Sequence, residues 1–149
     1  MQKITTFFMF EDHADEAMNF YVSIFENSRI VSTMPGPNGA VMGGIFELDG
    51  QRFHAFNGGP HFKFSQGVSQ FVSCDTQDEI DHFYEKLSES GEKQPCGWVT
   101  DKFGVSWQIV PPILGDLLAD KDREKADRVM EAMLKMHKLD IQVLKDAAE

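Results

Sequence analysis

An internal repeat is the feature that most constrains the fold of this chain. When the sequence is shifted by 63 residues, "FMFEDHADEAMNFY" (8–21) falls on "FVSCDTQDEIDHFY" (71–84), and six of the fourteen positions are identical. In both copies an apolar extended run leads through an acidic cluster into an amphipathic stretch, which predicts a strand, a helix cap and a helix. Each copy is therefore expected to form one supersecondary unit.

Three further strands are predicted after the first helix, because turn signals "PGPNG" and "DG" separate segments that are typical of strands. After the second helix a shorter run leads to "CGWVTDKFGVSWQIVPP" at 96–112. The predicted unit is β-α-β-β-β, present twice, with one strand of the second copy shortened or lost. We expect an α+β fold with modules at about 1–60 and 61–112.

Residues 113–149 are predicted to form a C-terminal helical extension, since no glycine follows Gly115 and no proline follows Pro112. Spacings of three and four predict one apolar face that packs in the core or on a second subunit. Its members are Ala126, Val129, Met130, Met133, Leu134 and His137.

Charge and composition exclude several classes of protein. The net charge is -10 and the sequence has no basic cluster, so a nucleic-acid partner is not expected. No apolar run approaches the ~20 residues that cross a bilayer, and the acidic start does not resemble a signal peptide. Two cysteines, Cys74 and Cys96, give neither a disulfide framework nor a zinc motif. We predict a cytoplasmic protein with two free thiols.

Several segments carry a resemblance to a known family: "ITTFFMFEDHADEAMNFYVSIFENSRI", "QFVSCDTQDEIDHFYEKLSESG", "CGWVTDKFGVSWQIVP" and "KADRVMEAMLKMHKLDI". With the doubled β-α-β-β-β unit, they resemble the vicinal-oxygen-chelate superfamily of glyoxalase I, extradiol dioxygenases and bleomycin-resistance proteins. The PhnB-like branch, also called the 3-demethylubiquinone-9 3-methyltransferase family, is the most similar. The resemblance implies one glyoxalase-like domain over 1–112, with eight strands in two sheets cupped around a cavity, and commonly a homodimer.

The resemblance also implies four metal-ligand positions, one on the first and one on the last strand of each module. Transferred through the repeat and the turn glycines, they fall on Thr6, His54, Ser69 and Gln108. His54 alone is a strong ligand, because the others offer neutral hydroxyls and an amide where a carboxylate is usual. We therefore expect a cavity without a metal or cofactor, although a loop histidine such as His61 could supply a second ligand.

Strand alternation predicts which side chains share the cavity face. The polar members, Thr6, Arg52, His54, Ser69 and Gln108, are the candidate ligand-binding residues. The same rule adds Phe8, Phe56, Phe71, Ser73 and Ser106 to this face and assigns Phe7, Met9, Phe53, Ala55, Val72, Val105, Trp107 and Ile109 to the face against the helices. Aromatic rings with a few polar groups are typical of a small-molecule pocket, but an inert polar core fits the pattern equally well.

Three functions are consistent with this sequence. The first is binding of a small, partly apolar molecule in a metal-free cavity, without an assigned activity. The second is a metal-dependent or His54-based isomerase, lyase or dioxygenase, for which His54 is the best catalytic candidate. The third is a structural or assembly role carried by the dimer and the C-terminal helices. Methyl transfer is not expected, because the glycines of "VMGGIFELDG" are followed by a strand and a hairpin rather than by the helix of a nucleotide-binding turn.

Overall fold

The computed structural model describes residues 2–149 of the chain. These residues form two compact units, and the boundary along the chain lies between Phe64 and Ser65. Each unit carries one helix on an open, mixed four-stranded sheet, and three more helices follow in the second unit. The predicted α+β class and the doubled β-α-β-β-β unit are confirmed. No helix within residues 2–149 is long and apolar enough to cross a membrane.

The first unit has the strand order β1-β4-β3-β2, in which β1 and β4 are parallel and the other pairs are antiparallel. Its elements are β1 (Thr6–Phe10), α1 (Ala14–Ile24), β2 (Arg29–Pro35), β3 (Val41–Leu48) and β4 (Gln51–Asn57). Asp49 and Gly50 both have positive φ and join β3 to β4, as a tight hairpin requires. The predicted "DG" turn is therefore confirmed.

The glycine pair of the first unit lies within β3 and not at a nucleotide-binding turn. A Cβ at Gly43 would meet the Ala55 carbonyl oxygen of β4, and a Cβ at Gly44 would meet the Ser32 carbonyl oxygen of β2. These residues are glycines because neighbouring backbones approach too closely for any side chain.

Helix α1 packs its apolar stripe on one face of the first sheet, where Ala14, Ala17, Met18 and Tyr21 are fully buried. The first residue of the helix is held close in space to the end of β4, because the Ala14 N–H donates a hydrogen bond to the Asn57 Oδ1 (2.8 Å). This side chain satisfies one of the backbone donors that every helix leaves unpaired at its start.

The second unit repeats this arrangement with the strand order β5-β8-β7-β6, in which β5 and β8 are parallel. Its module consists of β5 (Gln70–Ser73), α2 (Gln77–Leu87), β6 (Glu92–Lys93), β7 (Trp98–Thr100) and β8 (Ser106–Val110). The two-residue β6 confirms the prediction of a shortened strand. Thr76 caps α2 by accepting a hydrogen bond from the Glu79 N–H (3.2 Å), which satisfies a backbone donor of its first turn.

The C-terminal extension forms three helices, α3 (Pro112–Leu118), α4 (Arg123–Leu134) and α5 (Ile141–Ala147). Only part of the expected apolar face packs in the core. Ala126 and Val129 are buried and Met133 packs against the same core, but 40% of Met130 and 60% of Leu134 are exposed. Positions 130 and 134 lie one residue beyond the 126–129–133 stripe, so α4 turns them towards solvent.

The segment between α4 and α5 is attached to the second module by hydrogen bonds at two places. The Gln77 amide donates to the Leu139 carbonyl (2.9 Å) and accepts from the Ile141 N–H (2.9 Å). At the turn before β7, the N–H groups of Cys96 and Gly97 donate to the carbonyls of Met136 (2.9 Å) and His137 (2.7 Å). The side chain between these attachments, Leu139, is fully buried.

Candidate functional site

The face of the first sheet opposite α1 carries a stacked pair of rings. Phe7 of β1 is the parallel partner of His54 of β4, and their ring centroids lie 5.7 Å apart with an interplanar angle of 22°. The Phe7 side chain is 54% exposed, although it lies within a strand. Met9 and Phe56 form the next pair along the same face. An aromatic and aliphatic surface with one imidazole therefore lies on this face.

The predicted faces of β1 are wrong. Thr6 pairs with Phe53 and Phe8 with Ala55, and Phe8 stacks on Phe53 at 5.7 Å in the core beneath α1. Because paired residues of neighbouring strands point to the same side, Thr6 lies on the face against the helix and not with His54.

The two units are related by one sequence shift in their helices and by a different shift in their strands. Helix α1 begins at Ala14 and α2 at Gln77, which is the 63-residue shift of the sequence repeat. In the strands, however, Phe7 pairs with His54 as Phe71 pairs with Gln108, which is a shift of 64. The counterpart of Ser69 in the first unit is therefore Thr5.

Arg52 lies on the same face as His54, at the end of this face that carries charged side chains. The Arg52 guanidinium approaches Glu47 Oε2 (3.3 Å), and Arg29 approaches Glu47 Oε1 (2.8 Å). Hydrogen bonds from Arg29 first, and then from Arg52, hold the pKa of the Glu47 carboxyl below its ordinary value. The two arginines share one carboxylate, so this end of the face keeps a positive charge.

In the second unit the structure brings Ser69 and Gln108 together. The Gln108 amide donates a hydrogen bond to Ser69 Oγ (2.9 Å), and Gln108 pairs with Phe71 on one side and Trp98 on the other. Phe71 is 60% exposed, whereas Trp107 on the opposite face is 2% exposed. In this unit the strand pairing agrees with the predicted assignment of side chains to the two faces of the sheet.

Ser106 lies two residues before Gln108 and belongs to the same face of the second sheet. Its side chain is buried, and its Oγ has no hydrogen-bond partner within the described chain. A buried hydroxyl without a partner is unfavourable, so this position retains an unused capacity to bind a polar atom.

The four positions that the superfamily uses for metal do not fit a divalent ion in this chain. With the strand register corrected, the first unit offers the Thr5 hydroxyl and the His54 imidazole, and the second offers the Ser69 hydroxyl and the Gln108 amide. This donor set contains no carboxylate and a single imidazole, and its other donors are neutral oxygens. Within residues 2–149, no three His, Cys, Asp or Glu side chains form a group that could hold a metal ion.

Cys74 follows β5 but does not have the properties of a nucleophile. Burial, and to a smaller extent the charges of Glu79 and Asp75, raise the pKa of the Cys74 thiol to about 12. Because the thiolate is the reactive form, this cysteine is inert near neutral pH.

Phe7 is the site residue that the sequence failed to place. The run "TTFFMF" is apolar on both faces of β1, so alternation alone does not show which phenylalanine meets the helix. The alternation of β4 was clearer, because apolar Phe53 and Ala55 alternate with polar Arg52 and His54. Pairing β1 with β4 in the parallel register would have identified Phe7.

Comparison with known proteins identifies relatives of the whole doubled module. A family model described as 3-demethylubiquinone-9 3-methyltransferase matches residues 2–110. The solved structure of a PhnB protein from Bacillus cereus is 39% identical, with 74% of this chain and 99% of the Bacillus chain covered and a TM-score of 0.66. No curated protein matches the sequence.

A more distant solved structure also shares the fold. A protein from Pseudomonas aeruginosa is 19% identical, with 74% of this chain and 98% of that chain covered and a TM-score of 0.60. A glyoxalase/bleomycin resistance protein from Albidiferax ferrireducens is 11% identical, with 71% and 95% covered and a TM-score of 0.48. At these identities the Pseudomonas structure supports the fold and nothing about activity.

Proposed function

The chain belongs to the 3-demethylubiquinone-9 3-methyltransferase family, the PhnB-like branch of the vicinal-oxygen-chelate superfamily, and from this membership we propose that it binds a small, partly apolar molecule without a metal ion. The observation that carries the proposal is the stacked, partly exposed Phe7–His54 pair on the open face of the first sheet. Large exposed rings on a strand are unfavourable unless another surface or a ligand covers them.

The chemistry of this face suits a planar ring that bears one or two polar groups. Phe7 and Phe56 provide apolar contact, and the His54 imidazole can donate or accept one hydrogen bond. Arg52, fixed by Glu47, provides a positive charge at one end. Apolar contact with few orienting groups is the usual composition of a small-molecule site.

The open face of the second sheet supports the same class of ligand. Phe71 is exposed there, and the Ser69–Gln108 pair offers a hydroxyl and an amide oxygen. We propose that Ser69 and Gln108 also bind polar atoms of a ligand, and that Thr6, which lies on the other face of β1, does not take part.

Methyl transfer, which the family's name suggests, is not part of this proposal. A nucleotide-binding fold requires a glycine-rich turn from a strand into a helix. Here the connections are "EDH" before α1 and "CDT" before α2, and the paired glycines lie within β3. We expect no binding of S-adenosylmethionine by calorimetry, and saturable binding would contradict this expectation.

Titration with 4-methoxyphenol, a planar ring with one hydroxyl, tests the proposal. We expect saturable binding by isothermal titration calorimetry, weakened about tenfold in both Phe7→Ala and His54→Ala, because each substitution removes one ring of the platform.

The matched controls are His82→Ala and Phe83→Ala, which alter another histidine–phenylalanine contact, on helix α2 (4.9 Å between centroids). These variants should bind as the wild type does. The proposal is wrong if 4-methoxyphenol does not saturate the protein or if all four variants bind equally.

The metal-free part of the proposal has a separate test. We expect elemental analysis of the purified protein to find no stoichiometric divalent ion, because the donor set lacks a carboxylate. One zinc, iron, manganese or nickel ion per chain would contradict it. A homodimer and a cytoplasmic location complete the proposal.

A further inference from the structure

A cavity of about 410 Å³ lies within the second unit, at the edge of its sheet where β6 ends. It is lined by Gln66, Glu92, Lys93, Gln94, Pro95, Trp98 and His137. This volume is within the range of small-molecule sites. Its walls combine an indole ring with side chains that form hydrogen bonds or carry charge, so they suit a small ligand that is partly polar.

One wall of this cavity belongs to the C-terminal extension, beyond the part of the chain that the family model matches. The match ends at residue 110, whereas His137 follows α4. The His137 carbonyl accepts a hydrogen bond from the Gly97 N–H (2.7 Å), which fixes this residue next to the start of β7. The cavity is lined by residues of the second unit, and its Trp98 wall lies on the face of the sheet that carries Gln108, because Trp98 is the antiparallel partner of Gln108.

The amide groups at the mouth of the cavity are held in place by the chain itself. The Gln66 side chain donates to Gln94 Oε1 (2.9 Å), and the Gln94 carbonyl accepts from the Tyr84 hydroxyl (2.7 Å). Trp98 is half-buried within β7. These hydrogen bonds order part of the lining before a ligand binds, which lowers the entropy cost of binding.

The charges at the cavity are not balanced. The Lys93 ammonium forms an ion pair with Glu85 Oε2 (2.8 Å), and this contact is the main reason why the pKa of Glu85 lies below its ordinary value. Within residues 2–149, no positively charged side chain pairs with Glu92. The Glu92 carboxylate therefore leaves the lining with a negative charge that no ion pair within the described residues neutralises. The chain as a whole has a net charge of -10.

We propose that this cavity binds a small organic cation, an alkylammonium or similar group, between the Trp98 ring and the Glu92 carboxylate. An indole face attracts cations more strongly than other side-chain rings do, and a nearby carboxylate adds direct charge attraction. The net negative charge of the chain raises the local concentration of cations. His137 and the two glutamines supply hydrogen bonds to polar substituents of the ligand.

Choline and its neutral carbon isostere 3,3-dimethyl-1-butanol are matched probes of this proposal. The chain has two tryptophans, and Trp107 is only 2% exposed, so changes in emission on titration report on Trp98. We expect choline to change the emission saturably, and the neutral alcohol to bind at least about tenfold more weakly, because it has the shape without the charge.

Substitutions at exposed positions distinguish the site from general charge attraction. Glu92→Gln should weaken choline binding about tenfold, whereas Glu89→Gln, an equal charge change outside the cavity, should leave it unchanged. Phe7→Ala should also have no effect, so this proposal stands or fails independently of the proposed function. Equal binding of the two probes, equal loss in both glutamine variants, or no saturation would overturn it.

Discussion

At the scale of single residues, Asp101 organises the turn between β7 and β8. Its buried carboxylate accepts hydrogen bonds from the N–H groups of Phe103 (2.9 Å) and Val105 (3.0 Å) at Oδ1, and from the Trp107 indole N–H (2.8 Å) at Oδ2. A charged acceptor with three donors forms stronger hydrogen bonds than a neutral pair does. This side chain fixes the start of β8, and with it the position of Gln108.

Asp101→Ala should therefore lower the free energy of unfolding by about 3 kcal/mol, because three donors lose their acceptor and two of them are buried. Urea denaturation measures the change. Asp116→Ala, at an exposed position of α3, is the control and should change stability by less than about 0.5 kcal/mol. A similar small effect at both positions would show that Asp101 does not organise the turn.

Two buried groups make stability depend on alkaline pH. Burial raises the pKa of the Cys74 thiol from 9.0 to about 12 and the pKa of the Tyr84 hydroxyl from 10.0 to about 12. The unfolded chain therefore loses these protons at lower pH than the folded chain does. Their contribution to stability is complete below about pH 9 and is lost as the pH rises towards about 12.

We expect the urea midpoint of the wild type to fall between about pH 8 and about pH 10.5, and to fall less in Cys74→Ala, which removes one of the two groups. Cys96→Ala removes the other thiol of the chain and should keep the wild-type decrease. A midpoint that rises over this interval, or an equal decrease in both variants, would contradict the assignment.

At the scale of secondary-structure elements, the sequence predicted the helices more accurately than the strand faces. The amphipathic stretch predicted after the second acidic cluster is helix α2, which buries Ile80, Tyr84 and Leu87 at helical spacing. A helix has one apolar stripe, so its buried face can be read from sequence. The "TTFFMF" strand is apolar on both faces, and its orientation depends on pairing with residues of β4 that lie 47 positions further along the chain.

The attachment of the C-terminal helices by Gln77 gives a prediction at this scale. Gln77→Ala removes the hydrogen bonds to the Leu139 carbonyl and the Ile141 N–H, and should destabilise α5 by about 1 to 2 kcal/mol. Hydrogen exchange of residues 139–147 should become faster. Gln142→Ala, which loses an exposed contact within α5 to Asp146, is the control. Unchanged exchange in Gln77→Ala would exclude this role.

At the scale of the whole molecule, the repeat predicted the number and order of strands, and the candidate site was predicted only in part. Regular alternation in the second module predicted that Ser69 and Gln108 share a face, and the structure adds their hydrogen bond. The cavity beside Trp98 could not be predicted, because His137 reaches it through backbone hydrogen bonds that have no signature in sequence. Contacts made by the backbone depend on the path of the chain and not on side-chain type.

The proposed homodimer also belongs to this scale. Met130, Leu134 and Val143 expose apolar surface on α4 and α5, which supports an interface between copies of the chain. Light scattering should give about 34 kDa, twice the 16.9 kDa of one chain. Leu134→Glu should shift the mass towards one chain, because it places a charge in the interface. A wild-type mass of one chain at high concentration would exclude the dimer.

The backbone attachment of residues 136 and 137 has a consequence for how this protein can diversify. Because the hydrogen bonds from Cys96 and Gly97 reach main-chain carbonyls, any residue except those that distort the backbone can occupy position 137 without detaching the segment. Position 97 is constrained instead, since its φ is +83° and a Cβ there would lie 2.8 Å from the Ile109 carbonyl oxygen. Natural or engineered substitutions at residue 137 can therefore change the wall of the cavity while the backbone hydrogen bonds from Cys96 and Gly97 stay intact. Such substitutions can change ligand preference at little cost in the free energy of folding.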